Sequence, residues 1–126
     1  MRNKNIWEIE NLFYLKSDIS RLHKIICHYE IFKLIQKIPG EILEFGVFKG
    51  NSLIRFLSFR NLINLKKKKA IGFDAFGNFP KQAIKEDNKF AKDHDKLIGK
   101  GYSIKIITKA LKKKKIKNFQ LVKGDV

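Results

Sequence analysis

Apolar positions in the first forty residues recur at three- and four-residue spacing, which predicts helices. Ile6, Trp7, Ile9, Leu12, Phe13 and Leu15 suit a short amphipathic helix within residues 1–16. Ser17 and Asp18 offer a cap for a longer helix whose broad apolar face runs from Ile19 through Leu22, Ile25, Ile26, Tyr29, Phe32, Leu34 and Ile35 to Ile38. Pro39 and Gly40 end it. The pattern then shortens: residues 41–45 are apolar in the middle and run into Gly46, as a buried strand does at a tight turn. Helical spacing returns from Asn51 to Leu65, with Asn51 or Ser52 as the cap. A second strand spans residues 70–73 and ends at Asp74, and residues 77–80 form a turn. Residues 81–98 are polar with scattered apolar positions, a loose helix or lid. Gly99 and Gly101 interrupt the chain, Ile104, Ile107, Thr108 and Leu111 mark a further helix, and residues 119–123 read as a third strand. Strands alternating with helices connect through parallel crossovers, so the expected class is α/β, a Rossmann-like open parallel sheet behind an N-terminal helix.

Length and composition narrow the possibilities. The 126 residues suffice for one small core, and 44% hydrophobic with 32% charged residues is a globular profile. We divide the chain into an N-terminal helical segment, 1–39, and the first half of a ligand-binding Rossmann-like domain, 40–126. No apolar run approaches the roughly 18 residues of a membrane span, and acidic residues stand where a signal peptide would be apolar. A cytoplasmic location without membrane association is expected. The single cysteine, Cys27, excludes an internal disulfide framework.

The formal net charge of +16 invites a phosphate-bearing partner, but 24 of the 28 basic residues are lysine. Base-edge and phosphate readout favours the arginine fork, so the ratio argues against specific nucleic-acid recognition. Lys, Ile and Asn share A/T-rich codons, and genomic base composition is a sufficient explanation of their abundance. The runs Lys66–Lys69 and Lys112–Lys115 follow helical segments and read as solvated ends facing the negative pole of a helix dipole. A small basic α/β module that binds nucleic acid or another polyanion without catalysis is the alternative function class.

Ligands of open α/β sheets sit beyond the carboxyl ends of the strands, here residues 44–52, 74–79 and 124–126. The turn EFGVFKGNS carries Gly46 and Gly50, which let backbone approach a ligand at the start of a helix. Asp74, at the end of the second strand, suits the hydroxyls of a ribose, and Asp125, at the end of the third, suits the amino group of an adenine. Asn51 stands where a phosphate-binding loop needs lysine, and Phe48 where a dinucleotide fingerprint needs glycine. ATP and NAD are thereby disfavoured. S-adenosyl-L-methionine, with a nucleoside but no phosphate, fits better, and its sulfonium and ammonium charges suit Glu44. The candidate cofactor residues are Glu44, Gly46, Val47, Phe48, Gly50, Asn51, Ser52, Asp74, Ala75, Phe76 and Asp125. Phe48, Phe76 and Phe79 wall the ligand or cover the core, Lys49 points to solvent or approaches the cofactor, and His94 is a surface histidine. His23, Cys27 and Glu30 share a helix face, but nothing places further metal ligands opposite them.

Three stretches, YEIFKLIQKIPGEILEFGVFKGNS, IGFDAFGNFP and NFQLVKGDV, resemble the N-terminal half of the macrocin O-methyltransferase family. The family turn E-x-G-V-x-x-G-x-S is met by Glu44, Gly46, Val47, Gly50 and Ser52, and F-D-x-F-x-x-x-P by Phe73, Asp74, Phe76 and Pro80. The resemblance implies a class I methyltransferase fold that binds S-adenosylmethionine and methylates a hydroxyl on a sugar or natural product. It also implies a divalent metal such as Mg, held by acidic residues beyond residue 126 together with the general base and most of the acceptor pocket. The catalytic residues are therefore unassigned, and a homo-oligomer stays open. A class I sheet has further strands, so this chain reads as a fragment that aggregates alone and binds the cofactor weakly or not at all.

Overall fold

The computed structural model describes residues 5–78 and 85–124. Helix α1 (Ile6–Lys16) opens with a reciprocal cap, in which the Asn5 side chain accepts from the Glu8 N–H and the Glu8 carboxylate accepts from the Asn5 N–H. It buries none of its residues. Helix α2 (Ser20–Ile35) begins where the Asp18 carboxylate accepts the Ser20 N–H, and it ends before the Pro39 stop because the chain turns at Gln36. Only Phe32 of its broad apolar face is buried. That face is wider than the patch it covers, where Phe32 lies against the rings of Phe56 and Phe59.

Strand β1 (Ile42–Phe45) leads into α3 (Asn51–Leu62), β2 (Ala70–Asp74), α4 (Lys85–Ile98), α5 (Ile104–Lys113) and β3 (Phe119–Lys123). The strands form a parallel sheet in the order β1-β2-β3, with Phe45 beside Phe73 and Asp74 beside Lys123. The expected α/β open parallel sheet is present. Alternation along the strands splits the residues into two faces. Ala70 and Gly72 lie under α3 and α5, whose Leu53, Leu57, Ile107 and Leu111 close the core with Val47, Phe76 and Ile116. On the opposite face Leu43 and Phe45 are 52% and 66% exposed, and the Phe45 ring stacks on Phe73 at 4.9 Å. Among the described residues, no strand pairs with the outer edge of β1.

Two details tie the core together. Gly72 lets α3 settle on the sheet: a Cβ there would lie 2.8 Å from the Val47 side chain and 3.2 Å from those of Leu53 and Leu121. Arg60, 1% exposed, directs all its guanidinium donors internally, to the carbonyls of Lys68, Asn118 and Lys117 and to the Asn61 side chain. It staples the end of α3 to the starts of β2 and β3.

Candidate functional site

The course of the chain at the carboxyl end of β1 is set by backbone sterics. Gly46 and Gly50 adopt φ +84° and +80°, where a side chain would be strained, and no atom lies within 4 Å of the position a Gly46 Cβ would take. The Gly46 N–H still donates to Phe73 O at 2.9 Å, so the bend starts while the strands are paired. Gly50 then caps α3. The expected caps Asn51 and Ser52 lie inside the helix instead, because the left-handed Gly50 already turns the chain. Asn51 is exposed, and Ser52 is free to donate its hydroxyl to Glu44 Oε1.

Asp74 faces this bend. Its Oδ2 accepts the Phe48 N–H at 2.9 Å and its Oδ1 accepts the Phe76 N–H at 2.6 Å. Both phenylalanines sit at φ +52°, a conformation that costs a residue with a side chain about 1–2 kcal/mol. The carboxylate thus holds two strained amides, one from each strand-end loop. A carboxylate offers about four acceptor positions, so each oxygen retains one for a ligand hydroxyl.

Glu44, under the same bend, is half-buried, and its Oε2 is buried with no hydrogen-bond partner. Burial pushes its carboxyl above the ordinary range, the Ser52 hydroxyl counteracts this, and the Asp74 charge adds to the rise. An orphaned carboxyl oxygen in this position suits a cationic or hydrogen-bond-donating ligand group.

The side walls come from segments that carry no recognisable motif. Lys49 is half-buried and donates to Ile98 O at the end of α4, with its ammonium 5.2 Å from the Phe48 ring and 5.8 Å from that of Tyr102. The negative pole of α4 supplies the reason. The Tyr102 N–H donates to Phe48 O at 2.9 Å and the Gly101 N–H to Gly77 O at 3.1 Å, so the α4–α5 connection is laced to both strand-end loops. A Cβ on Gly101 would come within 3.2 Å of Gly77 O and 3.3 Å of Phe48 O. His94 is half-buried rather than solvated, its ring packed edge-on against Phe48 at 5.5 Å. No periodicity announces these arrangements; the paired glycines 99 and 101 are the one local signal of them.

Of the expected cofactor residues, Glu44, Gly46, Phe48, Gly50, Ser52 and Asp74 converge around the bend. The Val47 and Phe76 side chains are buried in the core, so what they offer a ligand is backbone. Ala75 is half-buried between Asp74 and Phe76. Asp125, with Phe79 and Pro80, lies outside the described residues. Among the described residues no three His, Cys, Asp or Glu side chains group to hold a metal ion, and Cys27 is exposed. No helix among them is long and apolar enough to cross a membrane.

No protein-family model and no curated protein matches the chain in sequence. Solved structures match its shape. The crystal structure of CalS11, a calicheamicin methyltransferase, superposes with a TM-score of 0.67 at 21% identity, over 98% of this chain and 52% of that one. Over that span the two chains share a fold. The apo structure of CalS11, described as TDP-rhamnose 3'-O-methyltransferase and an enzyme in calicheamicin biosynthesis, gives a TM-score of 0.56 at 19% identity over 98% and 50% of the two chains. This chain therefore spans about half the length of the solved structures it matches.

Proposed function

We propose that this chain supplies the S-adenosylmethionine-binding half of an O-methyltransferase whose acceptor is a hydroxyl on a sugar or natural product. The observation that carries the reading is the convergence on one bend of a carboxylate with spare acceptor positions, Asp74, and a buried carboxylate oxygen without a partner on Glu44. Asp74 would take the ribose hydroxyls. Glu44, backed by Ser52, would take the ammonium end of the cofactor, and the open backbone at Gly46 would admit the chain between them. When bound, the cofactor supplies an electrophilic methyl group. What these residues do is bind and orient it, and the half-buried Phe48 and His94 rings exclude water from one side. The fold shared with the sugar-modifying CalS11 supports the acceptor class. The described residues do not form the divalent metal site implied by the macrocin-family resemblance, and no step is assigned to a metal.

Saturation-transfer NMR with millimolar S-adenosylmethionine tests the reading on this chain. We expect transfer to the adenosine protons, loss of that signal in Asp74→Asn and Glu44→Gln, and no displacement by NAD or ATP. Displacement by ATP, or unchanged transfer in both variants, would refute it.

A further inference from the structure

At the opposite end of the sheet, beside the starts of β2 and β3, the structure brings together two lysine runs far apart in the chain. A groove of about 1130 Å³ lies between the end of α3 and the end of α5, with Lys66 on one side, Lys112, Lys114, Lys115 and Lys117 on the other, and Arg60 in its floor. We infer that this groove binds the phosphodiester backbone of a single nucleic-acid strand, without reading its sequence. This site is independent of the methyltransferase reading.

Three observations carry it. First, the five lysines are exposed and their ammonium groups have no partner among the described residues, whereas Lys68 and Lys69 of the first run are engaged by Ile38 O, Gly40 O and the Gln120 side chain. Second, the groove is of one sign: no acidic residue occurs from 45 to 73 or from 96 to 124. Third, the helix ends do not account for the charge. The poles of α3 and α5 that face it amount to about half a negative charge each, against five ammonium groups. Arg60 cannot serve as an anion ligand, since its donors are all committed to carbonyl and amide oxygens.

The shape and lining choose the occupant. No aromatic side chain lines the groove, so bases have no stacking platform and binding falls on phosphates. A membrane surface would call for a broad apolar face among the cations, and the groove lining exposes one large apolar residue, Leu62. Without arginine forks free to read base edges, the lysines act on phosphates as point charges and carry no sequence preference.

The test is fluorescence anisotropy of a labelled oligouridine titrated with the intact chain across a salt series. A variant combining K66Q, K112Q, K114Q and K117Q should bind at least tenfold more weakly at low salt. The slope of log K against log salt should become shallower by about 3, since each lysine–phosphate pair removed takes away about 0.7. A variant of equal charge, K24Q, K37Q, K89Q and K96Q, should keep the parent slope. In the unsubstituted protein, oligouridine should slow acetylation of Lys66, Lys112, Lys114 and Lys117, but not of Lys24 and Lys37, which removes any dependence on how the variants fold. Equal weakening in both variants, uniform acetylation protection, or preferential binding to phosphatidylserine vesicles over oligouridine would overturn the proposal.

Discussion

At the scale of single residues, the informative group is Glu44, a carboxylic acid held where water does not reach one of its oxygens. Its folded-state pKa is raised by burial, and the protonated form is therefore the one the fold prefers. The favourable contribution is full below the ordinary glutamate titration and is lost as pH rises through the raised folded value. Chemical denaturation between mildly acidic and neutral pH should show parent stability declining over that interval, and Glu44→Gln should flatten the decline. Parallel curves for the two proteins would show that the group is not perturbed. A cationic ligand has the opposite effect on the same proton, so its affinity should rise with pH across this window. Each oxygen of Asp74 receives a backbone N–H. The placement of Asp74 at a strand end was legible in the sequence. That it holds Phe48 and Phe76 in left-handed conformations was not, since phenylalanine carries no preference for them.

Among elements, the junction of α3 with the sheet shows how a packing constraint selects a residue. Gly72 lies at mid-strand, where a β-branched residue would raise strand propensity, yet the Val47 and Leu53 side chains occupy the space above it. Gly72→Ala should destabilise the protein by about 1–3 kcal/mol through overpacking. Adding Val47→Ala should recover part of that stability. Thermal melts of the two single variants and the double variant measure the coupling, and strict additivity would mean the methyl groups do not meet. The helices themselves were largely readable from apolar spacing, with α2 shorter than expected and α4 regular from Lys85. Their capping was less so. Gly50 displaces Asn51 and Ser52 as the start of α3, and the hydroxyl so released is what meets Glu44.

For the molecule as a whole, one sheet face is covered by two helices and the other presents Leu43, Phe45 and Phe73 next to the unpaired edge of β1. An apolar face beside an open strand edge is a template for association. The chain by itself should self-associate at micromolar concentration, as seen by sedimentation velocity, and Phe45→Lys should shift the distribution toward monomer with little change in melting temperature. A parent protein that stays monomeric would show that this face is tolerated in water. The solved structures matching this fold are about twice as long as this chain.

The sequence by itself determined the elements, their order and the residues at the ends of β1 and β2, because apolar periodicity and glycine turns are local properties of the chain. It also placed Glu44 and Asp74 toward the carboxyl ends of β1 and β2. Only the tertiary structure decided that Lys49 caps α4, that His94 packs on Phe48, and that lysines 66, 112, 114, 115 and 117 share one groove. Those outcomes depend on which segments the parallel sheet brings side by side, and no local pattern encodes an encounter between residues so far apart in the chain.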